Sequence, residues 1–124
     1  MAVAAGGALG ALLRYVISQY FGQAAGVIFP WGTLVINISG SFAMGLLHSF
    51  ALAGTVSPHV RAFLAIGLLG AFTTFSTFTL ESIMMLREGE VLRTFVYVAS
   101  SVLAGLLSVF AGLTTGQCIA GGGA

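Results

Sequence analysis

Apolar residues fill four long stretches of this chain, and the polar positions interrupting them are few and small. A membrane-crossing helix needs about 20 predominantly apolar residues in a row. Four such spans fit, over about 2–21, 30–52, 60–86 and 91–115. Pro30 suits a first helical turn and opens the second span. Residues 22–29 form a short uncharged connector, 54–59 a turn containing Pro58, and Arg87-Glu88-Gly89-Glu90 a tight polar turn. The tail over 116–124 is rich in glycine and is expected to fray. The pattern predicts an all-α membrane protein, one four-helix transmembrane domain over 1–124, with nothing left for a soluble domain.

The third span departs from the pattern. Within Gly70-Ala71-Phe72-Thr73-Thr74-Phe75-Ser76-Thr77-Phe78-Thr79, four threonines and a serine crowd into seven residues where Leu, Ile and Val are the usual occupants. Hydroxyls compete for backbone hydrogen bonds and threonine is β-branched, so helix preference is weak there. Gly67 and Gly70 loosen the turn before it. The third helix is therefore expected to break partway across the bilayer. Broken spans are tolerated only where protein or a wet cavity satisfies the freed backbone, and they mark ion or substrate sites.

Composition narrows the class. The chain is 58% hydrophobic and 6% charged, with four basic and three acidic side chains, and its mean hydropathy is +1.08. So few charges cannot cover a soluble surface, which leaves the lipid bilayer as its solvent. A net charge of +1 excludes strong attraction to nucleic acid. Cys118 is the single cysteine and can form no disulfide within the chain. No basic segment precedes the first span, so residues 1–13 read as the start of a mature helix. Arg61 flanks one membrane face; Arg87 and Arg93 flank the other, with Arg14 nearer that side. This bias is weak and permits either orientation or both.

Small residues recur four apart at Gly6/Gly10, Ser41/Gly45, Ser101/Gly105 and Gly112/Gly116, a spacing that lets helices approach closely. Four helices of this size leave little room for an internal pore, so a conduit implies an oligomer, most simply a dimer.

Candidate chemistry concentrates near the break. Asn37 lies mid-span with Thr33 one turn earlier. Its amide either bonds a neighbouring helix or lines a path. Phe75 and Phe78 flank Ser76-Thr77; they are core packing, or they present positive ring edges to an anion. Freed carbonyls at Gly70 and Thr73 suit a hard cation such as Na⁺. Glu81 is an acid inside a span, hence a functional candidate or an interfacial group. Arg14 snorkels or draws anions to a vestibule. Tyr97, Ser101 and Ser108 share a face of the fourth span. His48 and His59 show no metal-ligand spacing, and no nucleophile–base set or phosphate loop is present, so nothing suggests an enzyme.

Three blocks together resemble a known family: Gly6-Gly7-Ala8-Leu9-Gly10-Ala11-Leu12-Leu13-Arg14-Tyr15, Gly32-Thr33-Leu34-Val35-Ile36-Asn37, and Gly70 through Phe78. The chain resembles a Fluc-type fluoride channel of the CrcB family over essentially its whole length. The resemblance implies an antiparallel, dual-topology homodimer in a prokaryotic inner membrane. It implies two fluoride pores and a central structural Na⁺ held by the Gly70 and Thr73 carbonyls of both subunits. It places the pore on Asn37, Thr33, Phe75, Phe78, Ser76, Thr77, Tyr97 and Ser101, and the vestibule on Glu81 and Arg14. Gly105 stands where some members carry serine, with Ser108 as the alternative hydroxyl. The implied activity is passive fluoride export that relieves toxicity. The rival is a small four-span proton-coupled multidrug transporter, which depends on an acid in the first span; here that span carries Arg14 instead. A structural membrane protein would explain the packing glycines but not Asn37 or the polar break.

Overall fold

The computed structural model describes residues 1–24 and 29–121, and every regular element among them is helical. Helix α1 is Ala2–Ala24 and α2 is Trp31–Leu52. The third span has two pieces. Its first piece, α3 (58–72), comprises Pro58–Arg61, a wide π-helical stretch Ala62–Leu69 and the turn Gly70–Phe72. The second, α4, is Phe75–Arg87, and the last helix, α5, is Val91–Gly121. Four segments are long and apolar enough to cross a membrane: Ala2–Gly22, Trp31–Leu52, Pro58–Arg87 and Val91–Gly121.

The expected spans are all present, with displaced ends. Pro30 stands just before α2 rather than in its first turn. Ser57 caps the third span by accepting from Val60 N–H, so the helix begins at Pro58. Most of the expected connector, 25–28, lies outside the described residues, as does 122–124 of the tail. Glycine content alone predicts fraying from Gly116, yet α5 continues to Gly121. Packing overrides the low helix propensity: Gly116 is buried against Ser49 and Leu46 of α2. At 31 residues α5 is about 45 Å long at 1.5 Å per residue, more than the hydrocarbon core needs. The polar turn between α4 and α5 closes on Gly89, whose φ of +82° suits glycine.

The helices pair α1 with α3 and α2 with α5. Lipid is as apolar as leucine, so little hydrophobic force drives helices together in a membrane; close contact and hydrogen bonds must do it. At both crossings glycine removes the side chain between two backbones. A Cβ on Gly10 would collide with the Leu68 carbonyl, and one on Gly112 with the Phe42 carbonyl. Ser49 Oγ donates to Leu113 O (2.8 Å) and Ser108 Oγ to Ile38 O (2.8 Å), fastening α2 to α5. Of the four small-residue pairs, Ser101/Gly105 alone makes no such crossing: around Gly105 the backbones stand apart.

Two small apolar clusters result. Ile36, Leu47, Leu69 and Phe72 join α2 to α3. Leu34, Met85 and Tyr97 join α2, α4 and α5, with Phe29 and Phe78 against them. The broken helix separates the two clusters, so its break lies at the middle of the bundle.

Gly112→Ala is expected to lower unfolding stability in detergent by about 1–3 kcal/mol, because the α2–α5 backbones must part. Gly22→Ala, where an added methyl meets nothing, should leave stability unchanged or slightly raised. Equal effects at the two positions would refute the crossing's role.

Candidate functional site

The site is built on the break. After Phe72 the chain turns extended at Thr73 (φ −76°, ψ 153°) and Thr74 (φ −148°, ψ 120°), and helix resumes at Phe75. Two devices hold this shape. Asn37, on α2, donates from Nδ2 to Thr74 O (3.0 Å) and accepts at Oδ1 from Thr74 N–H (2.9 Å). One side chain thus replaces both helical partners of one residue's backbone. Thr74 also caps α4: its Oγ1 accepts from Thr77 N–H (3.2 Å) and donates to Thr77 Oγ1 (3.0 Å).

These bonds identify the carbonyls that the break releases. An unbroken helix would send Thr74 N–H to Gly70 O and Thr77 N–H to Thr73 O. Here the first goes to Asn37 Oδ1 and the second to Thr74 Oγ1. The break thus takes the helical donors from the carbonyls of 70 to 73, and the expected cation ligands, Gly70 and Thr73, are two of these four. Carbonyls are the neutral oxygens a hard cation takes, and the Gly70 and Thr73 pair of one chain is fewer than such ions bind. Among the described residues no three His, Cys, Asp or Glu side chains gather as metal ligands.

A second cluster lies toward the α4–α5 turn. Glu81 accepts from Thr33 Oγ1 at Oε1 (2.9 Å) and from Tyr97 OH at Oε2 (2.7 Å). Tyr97 is fully buried and Thr33 nearly so. The carboxylate is thus tied to α2 and α5 rather than left to reach the interface. Thr33, Thr77 and Glu81 line a cavity of about 460 Å³ that also includes Ser18, Trp31 and Glu88.

Aromatic rings connect the two clusters. Phe78 lies 5.3 Å from Tyr97 and 5.8 Å from Phe75, centroid to centroid. Phe78 is half-buried, whereas Phe75 is 76% exposed on the outer side of the break. Ser76 and Thr77 are exposed beside it. The N-terminus of α4 directs its unpaired N–H groups and its positive dipole end into this region, which favours an anion.

A second cavity, about 480 Å³, opens on the outer side of the break between α2 and α5 and includes Asn37, Thr73, Thr74 and Phe75. The Ser101 hydroxyl is buried and has no hydrogen-bond partner among the described residues. Ser108 uses its proton on Ile38 O, as a fastener between helices. Arg14 is half-buried on α1 and lines neither cavity. Most of the expected residues are therefore brought together, and Arg14 is not. Sequence reasoning missed Thr74 as the residue that both caps α4 and receives Asn37. Its signal was a threonine placed three residues before Thr77, a capping spacing.

A family model described as "CrcB-like protein, Camphor Resistance (CrcB)" matches residues 1–113. The chain is 46% identical over 112 residues to the fluoride-specific ion channel FluC of Rhizobium meliloti (strain 1021), covering 90% of each. It is 44% identical over 119 residues to the FluC of Thermus thermophilus, covering 96% of this chain and 94% of the relative. The FluC of Shewanella halifaxensis is 44% identical over 110 residues, 89% of each chain.

Asn37→Ala removes both partners of the Thr74 backbone, and about 1–3 kcal/mol of stability should be lost for each group left unpaired. Asn37→Asp keeps the acceptor for Thr74 N–H but sets a carboxylate oxygen against Thr74 O at membrane depth, so its loss in a chemical unfolding series should be at least as large. A neutral Asn37→Ala would show that the break holds itself without α2.

Proposed function

The chain belongs to the CrcB-like protein family, and from that premise we propose that it is a fluoride-selective channel, passively exporting fluoride across the membrane and so relieving its toxicity. It is a multi-pass membrane protein and not an enzyme. The observation that carries the reading is the similarity along nine-tenths of the chain to relatives named fluoride-specific ion channels.

The site's chemistry supports it. Fluoride is small and strongly hydrated, so a path must replace its water with hydrogen-bond donors. The break provides amide, hydroxyl and phenyl-edge donors in Asn37, Ser76, Thr77, Phe75 and Phe78, and the face of α5 adds Ser101, while Tyr97 gives its proton to Glu81 and borders the path with its ring. The one carboxylate within a span, Glu81, has both oxygens engaged by hydroxyl donors, which reduces its repulsion of an anion. Thr33 belongs to that same cluster, and we assign Glu81 to the vestibule; Arg14, which lines neither cavity, could act there only as a distant positive charge. A fixed positive ion would offset the cost of bringing anions to low dielectric. We assign that role to a structural Na⁺ held by the carbonyls of Gly70 and Thr73, doubled to four by a second subunit.

Exposure at the break supports the proposal of a second subunit. Gly70, Phe75, Ser76 and Thr77 are open on the outer face at membrane depth, where irregular backbone is tolerated only against protein or a wet cavity. A second copy of the chain would cover them. Weak Lys/Arg bias permits that copy to run antiparallel, giving a dual-topology homodimer, and the family resemblance favours an inner membrane. The transporter reading gains no support: α1 carries no acid.

The test is ion release from liposomes loaded with potassium fluoride, with valinomycin added so that potassium can follow. Fast, valinomycin-dependent release of fluoride and none of chloride is expected. No release from folded protein would overturn the channel reading. Phe78→Ile keeps the packing volume and removes an aromatic edge, so fluoride release should fall at least about ten-fold, the worth of roughly 1.4 kcal/mol at the barrier. Wild-type release from Phe78→Ile would place the path elsewhere.

A further inference from the structure

The hydroxyl line on α5 stops short. Tyr97, Ser101 and Gly105 follow at intervals of four on one helix face, and the third has no side chain. Ser108 does not extend the line, since its hydroxyl is given to Ile38 O. The cavity on the outer side of the break reaches Gly105, so an ion passing Phe75 would meet bare α5 backbone there.

A hydroxyl from a different helix fills this place. A Cβ built on Gly105 would have one neighbour within 4 Å, Ser41 Oγ at 3.8 Å. Ser41 stands on α2, one turn beyond Asn37, and lines the same 480 Å³ cavity as Asn37, Thr73, Thr74 and Phe75. Neighbouring serines on α2 spend their protons on carbonyls, Ser39 on Val35 O and Ser49 on Leu113 O. Ser41 makes no hydrogen bond among the described residues, so its proton is available to the cavity. The absence of a side chain at Gly105 is what opens Ser41 to that space.

We propose that Ser41 is an anion ligand of the permeation path, donating its hydroxyl to fluoride beside Asn37 where Gly105 leaves α5 without a donor. This rests on the channel reading above. Ser41 and Asn37 then present two neutral donors from one face of α2, and the path crosses from the Ser101 hydroxyl of α5 to these α2 donors at the level of the break.

The test uses the full chain in proteoliposomes at matched incorporation, with fluoride as the probe and initial release rate as the readout. Ser41→Ala should slow release by roughly ten-fold, the effect of losing one hydrogen bond to a charged species. Gly105→Ser in the Ser41→Ala background should restore most of the rate, because the built Cβ at 105 has room and would return a hydroxyl to the same space. An unchanged Ser41→Ala rate overturns the inference. So does a slowed rate that Gly105→Ser fails to restore, which would make Ser41 a packing residue. These results leave the channel reading standing if the unaltered protein releases fluoride; a failure of the unaltered protein removes both.

Discussion

One hydrogen-bonded pair holds the rest of the site in place: the carboxamide of Asn37 against the backbone of Thr74. A residue taken out of helix inside a membrane leaves a donor and an acceptor with no water to receive them, at a cost of several kcal/mol. A carboxamide meets both at once with a donor and an acceptor side by side, and Asn carries it on the shorter stem. An aspartate would match only the N–H and a leucine neither. Once Thr74 is held extended, its hydroxyl is free to cap α4, and the second half of the span begins with N–H groups facing the middle of the bundle. The carbonyls of Gly70 and Thr73 lose their helical donors by the same stroke. Donors for an anion and acceptors for a cation thus arise from a single dislocation of one helix.

The dislocation separates two electrostatic environments. On the side of the α4–α5 turn, a carboxylate is held by a threonine from α2 and a tyrosine from α5, so three elements share one charge. On the outer side of the break, the cavity offers Asn37, Thr73 and Thr74 and no ionisable group. Phe78 and Phe75 lie between, their rings in sequence. Neutral donors bind a small anion by geometry without the long-range attraction that would hold it too firmly to leave. In the proposed path, an acid kept at the edge with both oxygens occupied would leave the donors inside free for the ion.

Much of this was legible in the sequence, and for physical reasons. Membrane spans follow from length and apolarity alone, so all four were visible, and the break announced itself by five hydroxyl residues where helix preference is weak. That Gly70 and Thr73 are among the carbonyls without helical donors follows from the fixed interval of four in helical hydrogen bonding. What could not be read was anything decided between helices. The run from Ala62 to Leu69 reads as an ordinary apolar helix, yet it winds in wide turns against α1. The glycines after 115 suggest fraying, yet the seat of Gly116 on Ser49 keeps α5 helical. Ser108 looks as available as Ser101 on the helix face, yet one hydroxyl is spent on Ile38 O and the other is buried without a partner among the described residues. Each difference depends on the distance to a neighbouring backbone, which periodicity does not encode.

The glycine crossings and the break belong together. Glycine at the α1–α3 and α2–α5 contacts brings backbones so close that no room for an ion remains between them inside the single chain. Where α5 needs no such approach, at Gly105, the missing side chain opens outward into the cavity beside the break. The polar features therefore face away from the tightest packing, onto a surface of exposed Phe75, Ser76 and Thr77 that lipid solvates poorly. The proposed second subunit would cover that surface and bring the break of one chain against protein rather than lipid.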